Sequence, residues 1–295
     1  MSVRDRILNS VKSVDDLPTI SAVVARLNEV IDEDGSTAAD VAEVIAQDPP
    51  TMARVLKLLS SPLYAPRMPA GSTITVQMAV VRLGMEPLRD IVLSTSVLSS
   101  FRGVSTATSF DFDEFWRHSI CVGLASQVLL DYLLPGINAP EECEAFLAGL
   151  CHDLGKIVLA NRFDAEFQDV IELVEQREGL MIECERELLE IGHDEIGAAL
   201  AESWALPEEI QAAIRWHHEP ESCPDASHEV LVRIVQLADF VCNHQQIGYS
   251  GNARVPDIPS DSFTTVGIDP ERIPDIVRDV QERSAHSALI LSLDA

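Results

Sequence analysis

The chain has 295 residues and carries 48 Asp plus Glu against 21 Lys plus Arg, a formal charge of −27 with His neutral and a pI of about 4.4. So acidic a chain excludes phosphate neutralisation as its main mode of binding, and neither nucleic acid nor a membrane surface is expected as a partner; an enzyme is not excluded. With 46% hydrophobic but only 5% aromatic residues, it can bury a large core rich in Ala, Leu, Val and Ile, a palette that favours helix.

In chain order, the first half reads as five short helices with clear punctuation. Leu17-Pro18 opens an apolar-periodic stretch through Val24, Leu27 and Ile31, and Asp34-Gly35 ends it. Ser36 or Thr37 caps a second helix running to about Gln47, and Asp48-Pro49-Pro50 starts a third in which Met52, Val55, Leu56 and Leu59 repeat at helical spacing. Beyond a Pro- and Gly-rich loop at 62–72, segments 76–83 and 87–98 read as two more helices, divided near Gly84. The small polar stretch 104–109 is of the kind that joins domains, which places a boundary between 1–105 and 106–295. Helical patterns follow at about 111–134, 140–160, 163–178, 180–190, 193–204, 207–218 and 227–245, then a loop marked by Gly248, Gly251, Pro256 and Pro259, and a last helix near 271–287. The expected fold is all-α: an N-terminal helical bundle followed by a second multi-helix domain.

The two halves differ chemically. Residues 1–105 carry 12 acidic and 10 basic side chains, net −2, and the remainder carries 36 and 11, net −25. None of the eight histidines precedes His118, so imidazole chemistry belongs to the second half. Six scattered cysteines form no C-x-x-C pair, the first residues lack the apolar core of a signal peptide, and no apolar run reaches the roughly 18 residues of a membrane span. A cytoplasmic protein is the expectation.

Four strings and one Asp hold most of the chemistry: Glu114-Phe-Trp-Arg-His118, His152-Asp153-Leu-Gly-Lys156, Gly192-His193-Asp194, Trp216-His217-His218-Glu219, and Asp239. Glu114 and His118 lie four apart and share a helix face, so both can reach one ion. His217 and His218, if helical, diverge by roughly 100°, which suits two ions better than one. Taken singly, each string has a blander reading as a packed histidine, a turn Asp or a surface pair. Trp116, Trp204 and Trp216 read as wall or core residues, Cys151 as a small buried hydrophobe, and the run Glu183, Glu185, Glu187, Glu190 as a solvated helix face.

Taken together, the strings resemble the HD superfamily of metal-dependent phosphohydrolases, whose central motif is similar to Phe146-Leu-Ala-Gly-Leu-Cys-His-Asp-Leu-Gly-Lys156. From roughly Leu17 to the final helix the chain resembles one branch, the HDOD (HD-related output domain) proteins, in which a helical bundle precedes an HD-type helical domain. Ile45-Ala-Gln-Asp48-Pro49, Leu58-Leu-Ser-Ser-Pro62 and Val81-Arg-Leu-Gly84 carry the N-terminal part of that resemblance. The HD-GYP phosphodiesterases, which hydrolyse cyclic dinucleotides, offer a second comparison. By resemblance to them, Glu114, His118, His152, Asp153, His193, His217, His218 and Asp239 are metal ligands, Asp153 bridges two ions, and Lys156 faces a phosphate. The Gly-Tyr-Pro loop that names that group is absent after His217-His218.

The resemblance implies one or two divalent transition ions, Fe or Mn first and Ni or Zn as alternatives. Two ions about 3.5 to 4 Å apart would ionise a bridging water for in-line attack on phosphorus, with Asp153 and Lys156 as the catalytic side chains. Two functions are therefore carried forward. One is a bacterial signalling protein with a retained metal site, docking a protein partner through residues 1–105 without turnover; the other is a phosphohydrolase acting on a phosphodiester, nucleotide or cyclic dinucleotide. A homodimer is compatible with either.

Overall fold

The computed structural model describes residues 2–12, 22–33, 35–61, 64–68, 73–100, 109–258, 262–285 and 290. Leu17-Pro18, the loop at 62–72 except for its described residues, the joining stretch up to residue 108, Pro259 and His286 lie outside them. Among the described residues the regular elements are all helical, as the composition implied. They fall into two compact units, one of Met1–Leu17 with Gly103–Ser284 and one of Pro18–Arg102 with Ala285–Ala295.

Among its described residues the smaller unit contains five α-helices: α2 (Ala22–Asp32), α3 (Ala38–Ala46), α4 (Pro49–Leu59), α5 (Val76–Leu83) and α6 (Met85–Ser100). Thr37 caps α3 through a reciprocal box with Asp40, whose carboxylate accepts the Thr37 N–H at 2.8 Å. Pro49 and Pro50 occupy the first turn of α4, where a missing N–H costs nothing, and Thr75 caps α5 by accepting from Met78 N at 3.1 Å. α6 is buried at Leu88 and continuously from Asp90 to Leu98, and α2, α4 and α5 all pack on it.

The larger unit is organised around α7 (Phe112–Leu130), buried almost throughout, against which α8 (Glu142–Cys151), α14 (Glu229–His244) and α16 (Ile273–Ser284) pack. Between them run α9 (Leu154–Arg162), α10 (Asp164–Arg177), α11 (Met181–Leu189), α12 (His193–Ser203) and α13 (Glu208–Trp216), with the short α15 (Ser262–Thr265) after α14. α1 (Val3–Lys12) packs on α12 through buried Ile7 and Val11, and Arg4 pairs with Glu195 at 2.5 Å.

Two differences from the sequence expectation concern the site. The helix expected over 140–160 is two helices, broken by a turn at His152-Asp153, where Asp153 takes φ −103 and ψ 12. The turn lets two consecutive side chains serve one centre. Likewise α13 ends at Trp216, so His217 and His218 lie beyond its last turn and their rings stand 4.0 Å apart, not splayed on a helix.

Candidate metal centre

The turns after α8 and α13, the start of α12 and the interiors of α7 and α14 bring seven of the eight expected ligands together. They form three overlapping groups: His118, His152 and Asp239; His152, Asp153 and His217; and His193, His217 and His218. Within each group the ligand atoms lie within 4.8 Å of one another, and His152 and His217 are shared, so the donors form a continuous row. Glu114 stands apart. Its carboxylate is 42% exposed and paired with Arg117 at 3.3 Å, while its backbone carbonyl accepts from Tyr249 N at 3.0 Å.

Four histidines are oriented alike. Their Nδ1 atoms lie within hydrogen-bond distance of Ile247 O (His118, 3.2 Å), Gly149 O (His152, 2.7 Å), Ile214 O (His217, 2.8 Å) and Glu185 Oε2 (His193, 2.6 Å). With Nδ1 donating to an acceptor, Nε2 is left as the free lone pair, and all four Nε2 atoms face the row. His118 Nε2 is 2.9 Å from Asp239 Oδ1, His152 Nε2 is 3.3 Å from Asp153 Oδ2, and His193 Nε2 is 3.0 Å from Asp153 Oδ1. The Nε2 atoms of His152 and His217 are buried with no hydrogen-bond partner among the described residues. Buried orphan nitrogens aimed at carboxylates are costly unless something electrophilic joins them, so the donor set fits a divalent ion of the imidazole- and carboxylate-binding kind.

Asp153 sits in the middle. Oδ1 is shared between His193 and, at 3.9 Å, His217, while Oδ2 meets His152 and accepts from the Lys156 ammonium at 2.5 Å. Lys156 is 2% exposed and also donates to Ser250 O at 2.9 Å. Its charge is therefore spent on Asp153 and on the loop after α14. Gly155 explains the local Leu-Gly-Lys sequence: a Cβ there would lie 2.0 Å from His193 O, so only glycine lets α9 and α12 approach closely enough to join Asp153 to His193.

The electrostatics express the crowding. Burial disfavours the imidazolium of His152, yet Asp153 and Asp239 outweigh it and raise its pKa to about 10. His193 is also raised, with Glu185 and Asp153 overcoming burial. Burial and the neighbouring rings lower His217 to about 3 and hold His218 well below the ordinary imidazole range. Burial alone would raise Asp153 and Asp239, but the histidines, and Lys156 for Asp153, keep both well below the usual carboxylate range.

Three supporting residues, Glu185, Asn243 and Ser250, were not expected at the site from the sequence. Glu185, assigned above to a solvated face, is fully buried and holds both the backbone N (2.7 Å) and Nδ1 of His193. Asn243 donates to Asp239 Oδ1 at 2.6 Å and accepts from Ser250 Oγ at 2.6 Å. Cys151, by contrast, is the buried hydrophobe expected, and burial raises its thiol pKa.

The fold and the site define an all-helical protein with an HD-type cluster of histidines and aspartates. The model of the HDOD domain matches residues 17–220, and the chain belongs to the HDOD family. It is similar in structure to an HDOD domain protein of unknown function from Geobacter sulfurreducens, with a TM-score of 0.78 and 24% identity over 97% of this chain and 98% of that one. A protein from Shewanella amazonensis, described as a candidate metal-dependent phosphohydrolase, aligns over 98% of this chain and 100% of its own with a TM-score of 0.63 and 24% identity. A Treponema pallidum protein is 24% identical over 232 residues, which is 77% of this chain but only 42% of that protein's length.

Proposed function

We propose that this chain is a regulatory HDOD protein whose larger unit would hold one or two divalent transition ions, iron or manganese first, with Asp153 at the middle of the donor row. The observation that carries this reading is the row of inward Nε2 atoms, two of them orphaned, on histidines whose Nδ1 atoms are already committed. His118, His152, His193 and His217 with Asp239 and Asp153 would hold the ions, and His218 would complete the set at one end. A bound divalent ion there supplies Lewis acidity and a lowered water pKa. The chain's own residues supply orientation and seclusion: His118, His152, Asp153, His193 and His217 are each 1% exposed and Asp239 is 7% exposed, while His218 is only partly buried. Closure of that degree suits a centre that braces the helices it links better than one that turns over a bulky diester. The nearly neutral residues 1–105 are the proposed docking region for a protein partner.

The test is metal analysis of protein purified without chelator after growth with Mn and Fe. Native protein is expected to carry at least one transition ion, with Asp153→Asn and His152→Ala reduced; an empty native protein overturns the metal centre. A second reading, hydrolysis of a phosphodiester or nucleotide, draws on the partial exposure of His218 and on the same donor set. Turnover of a generic phosphodiester and of cyclic dinucleotides with Mn or Fe, above an Asp153→Asn blank, would establish it, and equal rates would leave the regulatory reading.

A further inference from the structure

Beside His218 lies a charge cluster that the metal centre does not use. Glu219, the next residue, places its carboxylate on Arg186 Nη1. Arg186 Nη2 donates to Asp194 Oδ2 at 3.1 Å, and Arg215 Nη1 donates to that same oxygen at 2.6 Å. Asp194 follows His193 as Glu219 follows His218, so the cluster flanks the 2.9 Å contact between His193 Nε2 and His218 Nε2. Arg215 is further fixed by lying 4.2 Å over the Trp216 ring.

The members are unequal. Asp194 is fully buried, with its second oxygen, Oδ1, lacking a hydrogen-bond partner among the described residues, so it anchors both guanidiniums. Two guanidiniums on one carboxylate leave a local charge of +1. Glu219, 41% exposed, balances it from the solvent side and loses little on leaving. Paired guanidiniums offering unspent N–H groups side by side are what a tetrahedral phosphoryl group binds best, and a carboxylate on the same fork is its nearest internal imitation. The position is also selective: residues 106–295 hold only 11 basic side chains against 36 acidic ones, yet two of them converge next to the partly exposed end of the donor row.

We propose that Arg186 and Arg215, anchored by Asp194, form an anion subsite for a phosphoryl group beside His218, and that Glu219 occupies it until a phosphate displaces it. The proposal deepens the phosphate-ligand reading above but contains no metal ligand, so it can be tested on metal-free protein. The experiment is calorimetric titration of inorganic phosphate into the full chelator-treated chain at constant ionic strength, with acetate as the comparison anion. Glu219→Gln is expected to bind phosphate about fivefold more tightly than the native chain, the scale of one exposed ion pair. Adding Arg186→Ala, or Arg186→Gln where Ala impairs folding judged by circular dichroism, should remove the gain. The proposal is overturned if Glu219→Gln binds no more tightly than native, if the gain survives loss of Arg186, or if acetate gains equally. Metal content of Glu219→Gln, measured in parallel, reads the metal centre separately.

Discussion

Glu185 shows how much of this site rests on side chains that touch no candidate ligand atom of the row except through an intermediary. By accepting from His193 at both the backbone N and Nδ1, it sets the ring's tautomer and its direction. Glu185→Gln keeps an acceptor but removes the charge, and is expected to weaken metal affinity by about tenfold, the lower end for such supporting residues, in a chelator competition assay. The sequence did hold a signal for Glu185. It lies four residues after Met181 and four before Leu189, both buried, so it belongs to the apolar face of α11 and not to the face of Glu183 and Glu187. The run of acidic letters concealed the periodicity. The metal-free protein should also report the strained protonation of the row. His152, raised from 6.5 to about 10, binds a proton more tightly folded than unfolded, so its contribution is full below about 6.5 and is lost as pH rises toward 10. His217, lowered from 6.5 to about 3, acts oppositely: its contribution is present above 6.5 and is lost as pH falls toward 3, with Asp153 and Asp239 adding to the loss at the acid end. Thermal melts of EDTA-treated protein should therefore peak near the ordinary imidazole pKa and decline on both sides. Loading with Mn should flatten the alkaline side, because the ion replaces the proton on His152. A melting temperature unchanged from neutral to alkaline pH in EDTA would contradict this assignment.

At the scale of elements, the site joins three helix ends to the interiors of α7 and α14, and at two places glycine lets backbones meet. Gly155→Ala would drive a Cβ into His193 O and is expected to cost about 3 kcal/mol, the upper end for overpacking, in urea unfolding, with metal content falling as α9 and α12 separate. Gly248 makes the other close approach. It has φ +71, and a Cβ there would lie 2.4 Å from His118 N, so the loop after α14 can lie against the first turns of α7 and present Ile247 O to His118. Those loop contacts were not legible in the sequence, since Gly248 and Gly251 marked a loop there without saying what it touches. The helices themselves were legible wherever apolar spacing was regular and a cap or proline marked an end, as at Thr37 and Pro49. α1 was missed because its ten residues are too few to give a strong periodic signal, and its order is secured by packing on α12 and by Arg4 with Glu195. The break at His152-Asp153 was missed because no glycine or proline marks it. It is imposed by the packing that turns both side chains inward.

At the scale of the whole molecule, the charge of −27 is a standing load on stability. Residues 106–295 hold 36 acidic and 11 basic side chains, so 25 negative charges in that half are not balanced by its own cations. The exposed pairs that do form, such as Arg177 with Glu187 at 2.5 Å or Arg278 with Asp275 at 2.8 Å, are solvated and contribute little, and salt weakens them further. Repulsion among the unpaired carboxylates extends further than these contacts and is also screened, the Debye length shrinking from about 30 Å at 0.01 M salt to about 8 Å at 0.15 M. Because the carboxylates of residues 106–295 outnumber the cations there more than threefold, screening should remove more repulsion than attraction. The melting temperature of the EDTA-treated chain is therefore expected to rise by roughly 2 to 4 °C over that salt range, the shift that about 1 kcal/mol produces in a protein of this size. A fall with salt would mean that the paired arginines, few as they are, outweigh the acidic excess.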